Sequence, residues 1–339
     1  MTKGMAKAMF WSRVKNGKDV RCELCPRNCI IPDGKAGFCK VRKNIDGTLY
    51  ALTFGRPVSI SVDPIEKKPL YHFLPGTDIL SVATYGCNLA CKHCQNFSIS
   101  REFLESDIER CKEVSPEELV KLAGSAIAWT YTEPTVFYEY FYETAKLAKK
   151  RGIRQVWVTN GYTSIKAIKR VNGLIDAVNV DWKGNDKFYK DITLAPGALE
   201  HIKKSLLQYK KQGVWIEITN LLIPELNDSE KDVKEMCIWI KKNLGDIPLH
   251  FSAYYPSYKM SKPPTPLKTI ENAVRIADNY LSYVYAGNVF HKRNNTFCPK
   301  CGELLIKRAG NSVIENKIIV KRGQGNCPKC GKVIAGVFS

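Results

Sequence analysis

The sequence predicts an α/β protein: a parallel sheet with helices outside it, carried between two small cysteine-bearing modules. Three observations lead there. Between residues 76 and 290, short apolar, β-branched or aromatic runs alternate about six times with charged stretches of helical length, and parallel strands require such crossovers. Each strand-like run closes on an unusual polar cluster, as in folds whose chemistry gathers at the carboxyl ends of strands. Eleven of the thirteen cysteines fall into three groups, one near each terminus and one at the start of the alternating region. A six-unit array of this kind is either an open doubly wound sheet or most of a barrel.

The first element, residues 1–75, holds Cys22, Cys25, Cys29 and Cys39 in a C-x2-C-x3-C-x9-C pattern. Four ligands predict a closed site, either zinc or an auxiliary iron-sulfur cluster, with zinc the preferred reading. The array follows in residues 76–290, with strands at ILSVATYG, SAIAWTY, QVWVTNG, AVNVDWKG, VWIEITNLLIP and LHFSAYYP, and a seventh candidate at YVYAG. Amphipathic segments such as GALEHIKKSLLQYKKQG lie between them, several ending in Gly as helices commonly do. Residues 291–339 carry two CPKCG knuckles, Cys298 and Cys301, then Cys327 and Cys330, with 25 residues between the pairs. This is the arrangement of a zinc ribbon, a segment too small to hold a core without its ion. Cys111 and Cys237 stand outside the groups and read as inert packing residues.

Composition narrows the function classes. With 44% hydrophobic and 25% charged residues the chain is an ordinary globular protein. No apolar run reaches the length of a membrane span, and the N-terminal stretch has too short an apolar core for a signal peptide. The expected location is cytoplasmic, where clustered thiols read as metal sites and not as disulfides. The net charge is +19: residues 1–50 contribute +7 and residues 291–339 contribute +8, leaving +4 for the rest. Thiolate sites in the end modules offset part of that excess; the remainder favours an acidic protein or nucleic acid partner by steering.

The loop GCNLACKHCQN places Cys87, Cys91 and Cys94 in C-x3-C-x2-C spacing. Structural zinc takes four ligands, whereas three thiolates in one short loop suit three irons of a four-iron four-sulfur cluster, leaving the fourth iron to a ligand that is not protein. The alternative is a zinc ion completed by His93 or a distant residue.

This loop, together with RCELCPRNC, EKKPLYHFLPG, YTEPTVFYEY, VTNGY, NVDWKG, LLIPELND, VYAGNV and the CPKCG knuckles, resembles the radical S-adenosylmethionine (SAM) superfamily. Within it the chain is similar to the pyruvate formate-lyase activating enzyme group, and more narrowly to the radical SAM enzymes of the AmmeMemoRadiSam system. The resemblance implies a partial (β/α)6 TIM-type barrel. It also implies that SAM chelates the open iron and is cleaved reductively to a 5'-deoxyadenosyl radical that abstracts hydrogen from a substrate, by resemblance a protein or peptide. An electron donor such as ferredoxin or flavodoxin, and the two companion proteins of the system, are the implied partners.

The resemblance carries further roles onto individual residues. Glu133 of YTEP matches the glutamate that receives the methionine ammonium; its plain alternative is a helix N-terminal acid. Asn160, Asp181 and Lys183 match strand-end positions that contact SAM, with a mutual ion pair as the alternative for the last two. Thr159 and Asn220 are weaker candidates. His93 stands where an aromatic carbocycle is usual beside the adenine, Tyr255 where relatives carry His, and Glu217 and Thr219 where activating enzymes carry Arg, so the SAM carboxylate is expected to be held differently. Two competing readings are a radical SAM enzyme acting on RNA and a non-enzymatic metal- or RNA-binding module; the ends show no aromatic interleaving to support the RNA reading.

Overall fold

The alternating region folds as the pattern requires, and the order of its strands chooses between the two architectures. The computed structural model describes residues 5–14 and 17–339. Seven parallel strands lie side by side in chain order: β1 Asp78–Ala83, β2 Ala126–Trp129, β3 Arg154–Thr159, β4 Ala177–Asp181, β5 Trp215–Leu222, β6 Leu249–Ala253 and β7 Val284–Gly287. A doubly wound sheet reverses its strand order at a switch point; this one never does, so every crossover winds the same way and the sheet is a partial barrel. YVYAG supplies the seventh strand. One edge is closed by Ser59–Pro64, antiparallel to β1, so the sheet takes in a segment that composition assigned to the N-terminal module.

Six principal crossover helices cover the outside: α1 Pro116–Leu122, α2 Tyr138–Lys149, α3 Ile165–Arg170, α4 Ala198–Lys211, α5 Glu230–Asn243 and α6 Leu267–Ala277. Their starts are written locally. Ser115 and Glu118 form a reciprocal capping box with Pro116 at the first helical position, and Ser164 and Ser229 cap α3 and α5. Outward strand residues such as Leu80, Val82, Ile127, Trp129, Trp157, Val178, Ile216 and Ile218 join the helices in one large core that also buries Cys237.

The inner face is lined by small or slender residues, Ile79, Ala126, Ala128, Val156 and Ala177, because the lumen is already occupied. Ile65, Leu70 and Phe73 of the segment after Pro64 pack against them. Glu217, on the inner face of β5, holds this strap: its carboxylate accepts from the backbone N–H groups of Tyr71 (3.0 Å) and His72 (2.8 Å), from His250 Nε2 (2.7 Å) and from Trp215 Nε1 (3.1 Å). Glu217, which stands where activating enzymes carry Arg, thus has its oxygens engaged by the strap and its neighbours.

The C-terminal stretch forms two three-stranded sheets joined to the same strap. Val337 N donates to His72 O (2.7 Å), Leu74 N donates to Val337 O (2.7 Å), and Arg308 Nη2 donates to Tyr71 O (2.8 Å). Among the described residues no helix is long and apolar enough to cross a membrane.

Candidate active site at the carboxyl ends of the strands

The loop after β1 descends from Gly86, whose backbone has φ +96°. A Cβ there would meet Val41 Cγ1 at 2.7 Å and the carbonyl oxygen of Cys39 at 2.8 Å, so only glycine lets the N-terminal module pack this closely on the loop. Cys87, Cys91 and Cys94 follow. Burial, and then the nearby carboxylate of Glu133, push the Cys87 thiol well above its ordinary range; burial raises Cys91 to about 11 against the opposing pull of Lys183. Thiols in so dry a pocket become thiolates by binding metal.

The loops after the other strands converge on this one. Asn160 Nδ2 donates to Asn88 Oδ1 (2.8 Å) and lies 3.7 Å from Cys87 Sγ. Ser257 Oγ donates to Cys94 O (3.2 Å), and Lys259 N donates to Lys92 O (2.9 Å). Lys183 Nζ pairs with Asp181 Oδ2 at 2.8 Å at the end of β4, both side chains only partly exposed. Burial by itself lowers the ammonium's affinity for its proton, but Asp181 and then Cys91 outweigh it and hold Lys183 charged. His93 is buried, and burial first, then Lys183, lowers its pKa to about 3. Its ring lies 5.8 Å from Phe188, and its Nδ1 has no hydrogen-bond partner within the protein. Thr219 Oγ1, on the strand beside Asp181, is likewise buried and unpartnered.

Three predicted site residues make hydrogen bonds within the chain. Glu133 is fully buried and caps the short helix that begins at Pro134. Its Oε1 accepts from Thr135 N (3.0 Å), Thr135 Oγ1 (2.6 Å) and Thr159 Oγ1 (2.8 Å), and its Oε2 accepts from Asn160 N (2.8 Å). With four donors from the chain the carboxylate ties the β2 loop to the β3 loop, and Thr159 is part of that tie. Asn220 lies within β5, not beyond its end, and shares its parity with Ile218 and Leu222. It faces the helices and donates from Nδ2 to Trp182 O (2.6 Å).

Sequence reasoning missed the Asn88–Asn160 bridge, whose signal was an Asn directly after the first loop cysteine. It also missed Asp63. Inside the barrel mouth Asp63 accepts from Lys67 (2.7 Å), Lys68 (2.9 Å) and Tyr131 OH (2.6 Å), while Tyr131, at φ +65°, accepts at its carbonyl from Asn96 Nδ2 (2.7 Å). An open chamber of about 500 Å³ lies beside the mouth, lined by Lys67, His250, Ser252, Tyr255, Asn288 and Phe290 among others.

The cysteine groups differ in spacing. Cys298, Cys301, Cys327 and Cys330 keep their sulfurs all within 4.8 Å, with contacts of 3.6 and 3.7 Å. A Zn–S bond of about 2.3 Å in a tetrahedron implies sulfurs about 3.8 Å apart, so the ribbon is shaped for one ion. Among the described residues no other three His, Cys, Asp or Glu ligand atoms come that close together. The donor set of the first loop, with unpartnered His93 Nδ1 and Thr219 Oγ1 nearby, fits a cluster with a further ligand.

Comparison with known proteins agrees. Residues 81–237 match the family model of the Radical SAM superfamily. The chain is 45% identical over 312 residues to the protein named "Uncharacterized protein MJ0808" of Methanocaldococcus jannaschii, covering 90% of this chain and 92% of that one. It is 27% identical over 231 residues to "Putative glycyl-radical enzyme activating enzyme MJ1632" of the same organism, covering 64% of this chain and 85% of that one. A radical SAM methyltransferase structure from Sphaerobacter thermophilus aligns at 13% identity and TM-score 0.49, over 84% of this chain and 78% of that one. Cys87, Cys91 and Cys94 lie within the matched stretch, and the match over residues 81–237 places this chain in the Radical SAM superfamily.

Proposed function

We propose that the protein cleaves SAM reductively at the Cys87, Cys91 and Cys94 loop and takes a hydrogen atom from a protein or peptide substrate, in the manner of an activating enzyme. When bound and reduced, a four-iron four-sulfur cluster supplies the electron that breaks the sulfonium C–S bond. The observation that supports the reading is three half-buried cysteines in one short loop, approached by Asn160 beyond β3, Lys183 beyond β4 and Ser257 beyond β6.

The chain's own residues supply the rest. Asn160 orients the loop through Asn88 and Cys87. Lys183 and Asp181 present an ammonium and a carboxylate to the oppositely charged groups of a methionine moiety, and His93 offers a neutral ring to the adenine. Glu133 and Thr159 act one layer back as positioning residues. The chamber bordered by Tyr255 and the nearly fully exposed Phe290 gives a polypeptide segment a route to the mouth and keeps bulk water from the reacting atoms once filled. The ribbon holds zinc. The electron comes from a ferredoxin or flavodoxin in a reducing cytoplasm, and the narrower likeness makes the two AmmeMemoRadiSam companion proteins candidate partners.

The test is 5'-deoxyadenosine formation by anaerobically reconstituted, reduced protein given SAM. Formation that Cys91→Ala abolishes, with the ribbon's metal retained, supports the reading; cleavage that survives Cys91→Ala overturns it.

A further inference from the structure

The N-terminal cysteines were read in sequence as a closed site, with zinc preferred. The structure brings all four together but does not close them. Cys22, Cys25, Cys29 and Cys39 line one cavity of about 20 Å³, walled also by Leu24, Ile31, Phe38 and Val136. Unlike the ribbon sulfurs, no three of these four lie within 4.8 Å of one another. The ribbon thus gathers four thiols at the spacing of a single ion, and the N-terminal module brings four thiols to one cavity without that spacing.

A second observation concerns Arg42, which lines the same cavity and is 2% exposed. Its terminal nitrogens are committed to Glu139 and to the carbonyl of Met9, but its buried Nε has no partner. A buried guanidinium N–H left without an acceptor is costly, and an anionic group in the cavity supplies one. The inorganic sulfides of an iron-sulfur cluster accept such bonds, which tune its potential.

We propose that this cavity holds a second four-iron four-sulfur cluster, ligated by Cys22, Cys25, Cys29 and Cys39 and closed to SAM because all four irons have protein ligands. The apolar walls suit a buried cluster, and four separate irons explain thiols that do not converge on a point. The cavity also touches Asn88 and Thr135, while Arg27 donates to Asn88 O and Arg101 Nη1 donates to both Phe38 O (2.9 Å) and Cys87 O (3.3 Å). The second cluster is therefore built against the first loop, as a redox neighbour of the site proposed above. The inference rests on the cavity and not on that reading.

The experiment is metal and acid-labile sulfide analysis, with EPR of the reduced protein, on the anaerobically reconstituted full chain and two variants. Wild type is expected to hold about eight irons and one zinc, on about four irons per cluster. A Cys87→Ala/Cys91→Ala/Cys94→Ala variant is expected to keep about four irons, half the total, with an EPR signal that SAM does not change. A Cys22→Ala/Cys25→Ala variant is expected to keep the SAM-responsive half. Two zincs per chain in wild type, with iron lost completely from the first-loop variant, would overturn the proposal even if one variant folded poorly. If instead the first-loop reading is at fault, that variant loses no iron, so the two failures are distinguishable.

Discussion

Gly86→Ala tests the close contact between the N-terminal module and the first loop. An L-residue at positive φ costs roughly 1–2 kcal/mol, and forcing a methyl into packed atoms costs about 1–3 kcal/mol more. The second cost applies here because one obstructing atom, the carbonyl oxygen of Cys39, is backbone and cannot rotate away. Loss of chain entropy in the unfolded state returns about 0.4–1 kcal/mol. The net expectation is a destabilisation of about 1–4 kcal/mol. Gly197→Ala is the control: its φ is +71°, but a Cβ there meets nothing within 4 Å, so only the conformational cost applies, about 0–1.6 kcal/mol after the entropy correction. Chemical unfolding of both variants with the metals held constant is the assay, and iron loading of Gly86→Ala is expected to fall with its stability. If the two variants unfold within about 0.5 kcal/mol of each other, the margin expected for an ordinary surface substitution, the argument from close approach fails.

Three other outcomes follow from contacts in the fold. Glu217→Ala strands the buried N–H groups of Tyr71 and His72, at about 1–3 kcal/mol each, so amide exchange at these two residues should rise about a hundredfold while α5 stays protected; unchanged exchange would remove Glu217 from the role of strap anchor. At Asp63, burial raises the carboxyl's pKa, but bonds from Lys67, Tyr131 and Lys68 override it and hold it well below the usual range. The folded pKa being depressed, the unfolded chain takes up the proton first. The stability advantage of wild type over Asp63→Asn should therefore be full above about pH 5 and shrink as pH falls below about 4, and a difference that does not vary with pH would refute the carboxylate's part. Removing the ribbon's metal with a chelator should lower the melting temperature of the barrel as well as the ribbon, since Val337 and Arg308 bond to the strap; a barrel transition that stays in place would show the ribbon to be independent.

The sequence alone determined what depends on short covalent spacing. C-x3-C-x2-C in one loop, the paired CPKCG knuckles and the alternation of strand and helix are each specified within a few residues, and each appears where the spacing puts it. The tertiary structure decided what depends on which face a residue turns to and on what fills the space opposite. Asn220 and Glu217 sit three residues apart on β5, and only the pairing with β4 and β6 sends one toward the helices and the other into the lumen. YTEP is equally compatible with a ligand-binding glutamate and a helix cap; only the tertiary structure shows the cap, with donors from Thr159 and Asn160, 26 and 27 residues away. Four cysteines in the N-terminal module announce a metal site, but it takes the packing of Phe38, Val136 and the first loop to bring them to one cavity. A spacing motif sets which atoms are able to meet, whereas distances between segments far apart in the chain come from the core that holds them.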